Sequence, residues 1–250
     1  MKTKTFVAIV ALAVILVGLK VVHSQLSPQR FQPFVVTKTM SSPLAGQPLP
    51  LVQTYSLAVR DDGSFVRIAH VQNVVPGTTA YVRDIYDMQT GIWTTVDELS
   101  KSTQTRRMSE HKMSILKANP AASCGGKPAG EILGQKVEYL EDIREADDGY
   151  QIATKKWSAT ALGCITLREE TIMKKKDGTD WKLVADTTHQ AISLTFQPVQ
   201  QFFDVPSDYV ERKPSEVLNE LHRLYPEHFE LTDTSGADAA YQANHVNVKR

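Results

Sequence analysis

Between positions 53 and 196, apolar and polar side chains alternate with a period close to two. This is the spacing of a pleated strand with one face on a core and the other in water. Tyr55, Leu57 and Val59 alternate with small or polar neighbours. Asp61-Asp62-Gly63 then supplies a tight turn, and 65–71 returns as the partner strand. The runs 81–86 and 92–96 flank Asp87-Met88-Gln89-Thr90-Gly91, whose glycine suits a short hairpin loop. Asp147-Asp148-Gly149 separates 137–143 from 150–157, Asp177-Gly178 separates 165–173 from 181–186, and 191–196 forms a last strand before Pro198. Sequential strands joined by such short turns make an antiparallel meander, because parallel neighbours need crossovers of a dozen or more residues. A sheet with one apolar face must be covered or must curl around that face. The expected fold is mainly β (α+β): a curved antiparallel sheet, or half barrel, with a C-terminal helix.

The helix is predicted at 214–225, where Val217, Leu218, Leu221, Leu224 and Tyr225 form one apolar stripe between Pro214 and Pro226. A short second helix is expected from Ser109 to Lys117, ended by Asn119-Pro120. Residues 25–50 contain five prolines and read as a linker with an irregular first strand at 34–39. The main β domain is then 51–230. Residues 231–250, rich in Ala, Asp, Asn and Thr, are expected to be a disordered tail.

The first 24 residues change the picture from fold to location. Lys2 and Lys4 precede an apolar run from Phe6 to Leu19, and Ser24/Gln25 follows as a cleavage point, the layout of an export signal. The run falls short of the roughly 20 residues of a spanning helix. The alternative is an uncleaved anchor through 6–22. In either case the remainder is expected to be exported, periplasmic or extracellular. Removal of 1–24 leaves 25 basic against 28 acidic side chains, a balance that does not favour nucleic acid or acidic lipid surfaces as partners. Lys174-Lys175-Lys176 reads as an exposed hairpin tip. In an oxidising compartment, Cys124 and Cys164 are expected to form a disulfide, the alternative being two buried thiols.

Local chemical signatures are scarce. The seven histidines make no HExxH pattern, and two cysteines without a neighbouring His pair do not make a zinc site, so no metal or cofactor is expected. Ser109-x-x-Lys112 and Ser114-x-x-Lys117 match a serine–lysine pattern at about the frequency chance predicts. Of the carboxylates Asp61, Asp62, Asp84, Asp87, Asp147, Asp148, Glu169 and Glu170, most sit in predicted turns, where the side chain helps bend the backbone. His70 and His189 lie in or beside strands and are candidates to point inward.

Phe203-Asp204-Val205-Pro206-Ser207-Asp208-Tyr209 resembles the Phe-x-Val-Pro-x-Asp-Tyr ending of a group of uncharacterised exported bacterial proteins. Gly134 to Glu138 and Lys156-Trp157 stand where that group has its preceding hairpin and Trp strand, so the resemblance covers about 131–210. More distantly, the layout is similar to periplasmic carriers and sensors of the lipoprotein-sorting type. That resemblance implies a half barrel that holds acyl chains. The reading that follows is a non-enzymatic envelope protein binding a lipid or other apolar ligand on the concave face. Alternation and size nominate Tyr55, Leu57, Val66, Ile68, Trp157, Leu167, Trp181 and Leu183 as its lining. The alternatives are an interaction or sensor module for an envelope protein partner, and a hydrolase without a local motif.

Overall fold

The computed structural model describes residues 32–42, 51–71, 80–109, 123–146 and 149–245. The leader, the expected helix beyond Ser109, Asp147 and Asp148 lie outside these residues. What is described belongs to one unit, 31–250.

Twelve strands form one curved, unclosed sheet in the order β12-β6-β5-β4-β3-β2-β1-β11-β10-β9-β8-β7. They are β1 (Phe34–Ser42), β2 (Leu51–Val59), β3 (Phe65–Val71), β4 (Ala80–Asp87), β5 (Ile92–Asp97), β6 (Ser102–Arg107), β7 (Lys127–Ile132), β8 (Gln135–Ala146), β9 (Tyr150–Ala159), β10 (Ile165–Asp177), β11 (Asp180–Phe196) and β12 (Val210–Glu211). The order resolves into two antiparallel meanders, β1 to β6 and β7 to β11, joined where β1 pairs antiparallel with β11. The turns follow from local chemistry. Asp62 Oδ1 accepts the Ser64 N–H at 2.8 Å, and Asp87 Oδ1 accepts those of Gln89 and Thr90 at 2.9 and 3.2 Å. Gly63 and Gly91 take φ of 82° and 71°, which a side chain would oppose.

Two expected strands, 181–186 and 191–196, are a single 17-residue strand, β11. It absorbs register shifts against both neighbours, at Val184 against β10 and at Ile192 against β1, while 187–190 pairs continuously, so no loop interrupts it. Two helices follow the sheet: α1 (Pro214–Leu224), as the apolar stripe predicts, and α2 (Ser235–Asn244), within the stretch expected to be disordered. Its composition is weak, but tertiary contacts hold it. Asp238 accepts the backbone N–H of Ser215 at 2.8 Å, and Tyr241 is buried with its hydroxyl on Glu211 Oε1 at 2.8 Å.

Directly opposed residues share a face, and each face carries a core. On one, Phe34, Val36, Val59 and Ala191 pack with Leu167, and the cluster continues to Val137, Ala159 and Leu162 at the β8–β9 end. On the other, Val35, Ala58, Val66, Ile68, Ile85 and Val96 lie beneath Val199, Phe202, Phe203, Val205 and Tyr209. The segment carrying the Phe-x-Val-Pro-x-Asp-Tyr sequence is therefore the cover of this second face. Arg83 Nη1 fixes it by donating to the carbonyls of Phe202 and Asp204, both at 2.9 Å, and the Arg60 guanidinium lies 4.3 Å from the centre of the Phe203 ring. A disulfide joins Cys124 to Cys164. Among the described residues no helix is long and apolar enough to cross a membrane.

Candidate functional site

Phe34, Val36 and Lys38 share one face of β1, so the parity that buries two apolar side chains also buries a lysine. Lys38 lies opposite Tyr55 of β2 in an unbroken register, and a register shift against β11 between Thr37 and Lys38 sets it opposite Ala191. On β10, a shift between Thr166 and Arg168 re-aims the chain beside it, and Glu169 pairs with His189 of β11. Lys38, Tyr55, Thr166, Glu169 and His189 thereby line a cavity of about 250 Å³ across four adjacent strands.

The contacts within it are specific. Lys38 Nζ donates to the backbone carbonyl of Thr166 and lies 5.9 Å from the centre of the Tyr55 ring. The Tyr55 hydroxyl and His189 Nδ1 are 3.2 Å apart, with the two rings edge to face. Lys156 approaches Glu169 to 4.0 Å from β9. Burial lowers the Lys38 ammonium to a pKa of about 8, against the opposing pull of the Glu169 carboxylate. Burial also lowers His189, with Glu169 opposing and the Lys38 charge reinforcing the shift. Tyr55 is raised by burial and then by Glu169, with Arg67 opposing. At neutral pH the site thus offers a protonated phenol, a neutral imidazole and an amine close to losing its charge. That set donates and accepts hydrogen bonds and carries the Lys38 positive charge, opposed by the Glu169 carboxylate.

A second polar group on the same face is fully engaged internally. Asp84 accepts from Arg67 Nη2 at 2.8 Å, Trp93 Nε1 at 3.1 Å and Thr95 Oγ1 at 2.9 Å. Phe65, Tyr86 and Trp93 stack beside it with centroids 4.4 and 5.4 Å apart, and Arg106 covers Trp93. No cluster of His, Cys, Asp and Glu among the described residues has the grouping of a metal site.

Of the eight residues nominated as lining, Tyr55 reaches the cavity. Leu57 and Leu167 belong to the apolar core of the Phe34 face. Val66 and Ile68 are in the core of the opposite face, under the C-terminal segment. Trp157 pairs with Tyr139 and Arg168, packing 5.1 Å from the Tyr139 ring, and the preceding residue, Lys156, lies opposite Glu169. Trp181 and Leu183 stand at the far β10–β11 hairpin opposite Lys176 and Lys174, and Leu183 is 63% exposed. Among the carboxylates, Asp62 and Asp87 bind turn backbone, Asp84 serves the aromatic stack and Glu170 pairs with Arg168, which leaves Glu169 for the cavity. Sequence reasoning passed over Lys38 and Thr166. The signal for Lys38 was its parity with Phe34 and Val36, obscured because 25–50 reads as a linker.

No protein-family model matches the chain, and no curated protein matches it. Among solved structures, it is similar to a LolA superfamily protein from Nitrosomonas europaea at 8% identity and a TM-score of 0.29, over 73% of this chain and 93% of that one. It is also similar to a DUF1329 family protein from Desulfovibrio piger at 12% identity and a TM-score of 0.22, over 70% and 90% of the two chains.

Proposed function

We propose that this is a non-enzymatic, exported binding protein of the cell envelope, and that its ligand is a lipid-like amphiphile. The observation that carries this is the cavity: five polar residues from four strands converge on one face of an open sheet, beside an apolar core. At about 250 Å³ it is smaller than the roughly 300–1,000 Å³ of sites that enclose a drug-sized molecule. It fits the polar end of an amphiphile. Lys38 and Tyr55 supply donors to that end and His189 a donor or an acceptor according to tautomer. The apolar body lies along the same face, over Leu57, Leu194 and the half-exposed Phe196, which shares an edge contact with Phe34. Export is supported by the charged start, apolar run and cleavage point of residues 1–24.

Fluorescence titration of the purified protein with dansyl-labelled undecanoic acid tests the reading. Saturable one-to-one binding is expected, weakened at least about tenfold in Lys38→Met, which removes a hydrogen bond worth about 1.5–3 kcal/mol when charged. Unsaturable binding, or equal affinity in the variant, overturns it.

A further inference from the structure

We propose that Lys38 captures its ligand covalently, as a reversible imine, so that the amphiphile bound in the cavity carries an aldehyde or ketone at its polar end. The inference rests on the reading of the cavity as a ligand site and adds the chemical class of the ligand.

Three features of the geometry support it. First, the Lys38 amine lines the cavity yet is almost wholly buried, so a carbonyl compound must enter the cavity to meet it. Second, the amine is held by one donated bond, to the Thr166 carbonyl oxygen. When neutral, it spends one N–H there and keeps its lone pair for attack. Third, the Tyr55 hydroxyl and His189 stand together at the same cavity, 3.2 Å apart. A phenol held protonated beside a neutral imidazole can give a proton and have it replaced. Desolvation of this amine acts in the same direction, the usual way a lysine becomes a nucleophile.

The step balances without a further reactant. The Lys38 nitrogen lone pair forms a bond to the carbonyl carbon, and the carbonyl π pair moves onto oxygen, which takes a proton from Tyr55. The carbinolamine nitrogen returns a proton to the Tyr55 phenolate, and Tyr55 then protonates the hydroxyl as the nitrogen lone pair expels it as water, which leaves a cationic imine. Loss of its N–H proton to the phenolate restores Tyr55. The products are the imine and one water. Nothing is oxidised or reduced, and hydrolysis reverses the sequence. Glu169, coupled electrostatically to Lys38, Tyr55 and His189, stabilises the cationic imine.

The test is reductive trapping of the full-length protein with octanal in slight molar excess and cyanoborohydride, followed by peptide mapping. The expected result is one octyl group on Lys38, acquired at least about tenfold faster than on any exposed lysine, absent from Lys38→Arg and suppressed by excess dansyl-undecanoic acid. Suppression of that one adduct in the wild-type protein does not depend on the variant folding. Labelling spread over surface lysines with Lys38 unmodified overturns the inference, as does an equal rate at Lys38 with and without the competitor at a concentration where fluorescence shows the competitor bound. If the dansyl probe binds while Lys38 stays unlabelled, covalent capture fails and the binding reading survives. If Lys38 labels while the probe does not bind, the amphiphile reading fails instead.

Discussion

Strands β2 to β6 carry a packed cover on one face, whereas β8 to β11 present long runs of half-buried and exposed side chains. The difference shows most in β6, whose sequence Ser-Thr-Gln-Thr-Arg-Arg has no apolar residue and yet buries Ser102, Thr103 and Thr105. Glu211 makes that burial tolerable. Its Oε1 accepts from Thr105 N–H and Tyr241, and its Oε2 from the hydroxyls of Thr103 and Thr105. The other meander has no such cover among the described residues. It is held by its share of the Phe34 core, Val137, Ala159, Leu162, Leu167 and Ala191, by cross-strand pairs and by the Cys124–Cys164 bond, which ties the entry of β7 to the turn before β10. One half has a packed cover, the other an uncovered sheet with a covalent link, and the cavity lies where the two meet.

The sharpest test of that contrast is removal of the disulfide. Closing a loop across a sequence separation of 40 is worth about 4 kcal/mol in the chain-entropy model, so Cys124→Ser with Cys164→Ser should lower unfolding free energy by about that amount in urea melts. A loss under about 1 kcal/mol would show that pairing alone sustains the uncovered half.

The next largest effect is at the junction itself. Lys38 has a folded pKa of about 8 against 10.5 when solvated, so between those values the unfolded chain holds a proton that the folded one has released. Stability therefore rises with pH through this window, by up to about 3 kcal/mol for that shift. His189, lowered from 6.5, acts below the window; Tyr55 and Tyr86, raised above 10.0, begin to oppose it near its top. Denaturant midpoints between pH 8 and 9.5 should rise in the wild type and stay flat in Lys38→Met.

A smaller loss is expected on the covered side. Glu211→Gln retains size but exchanges a charged acceptor for an amide that cannot accept all four bonds, at about 1–3 kcal/mol. Hydrogen exchange should report it as faster opening of α2, with β8 to β11 unchanged. The smallest effect belongs to Leu183→Ala, at 63% exposure: a thermal-melt change under about 0.5 kcal/mol. A larger change would mean that something covers this hairpin.

The hairpins were legible because their causes are local. Asp62-Gly63 and the Asp87 to Gly91 loop bend the chain by contacts within five residues. The faces were less legible. Each bulge reverses parity, so alternation that puts Tyr55 on the cavity leaves Leu183 exposed beyond the shift between Met173 and Lys174. β6 and α2 escaped notice for another reason. Their residues are polar or small, and partners distant in sequence, Glu211 and Ser215, hold them in place. The cavity combines both difficulties: each of its residues is ordinary in its own strand, and bulges on β11 and β10 accompany their convergence.

The pairing of β1 with β11 joins residues more than 150 positions apart, such as Thr39 with Gln190. Lys38 and Tyr55 come from the early part of the chain, and Thr166, Glu169 and His189 from the late part. Each meander can assemble on its own from neighbouring hairpins, while the long closure between them is the slow, entropically demanding event. A molecule emerging through a translocation pore would have no ligand pocket until most of its length had passed. Under the proposed export and binding, cargo would then meet a finished receptor.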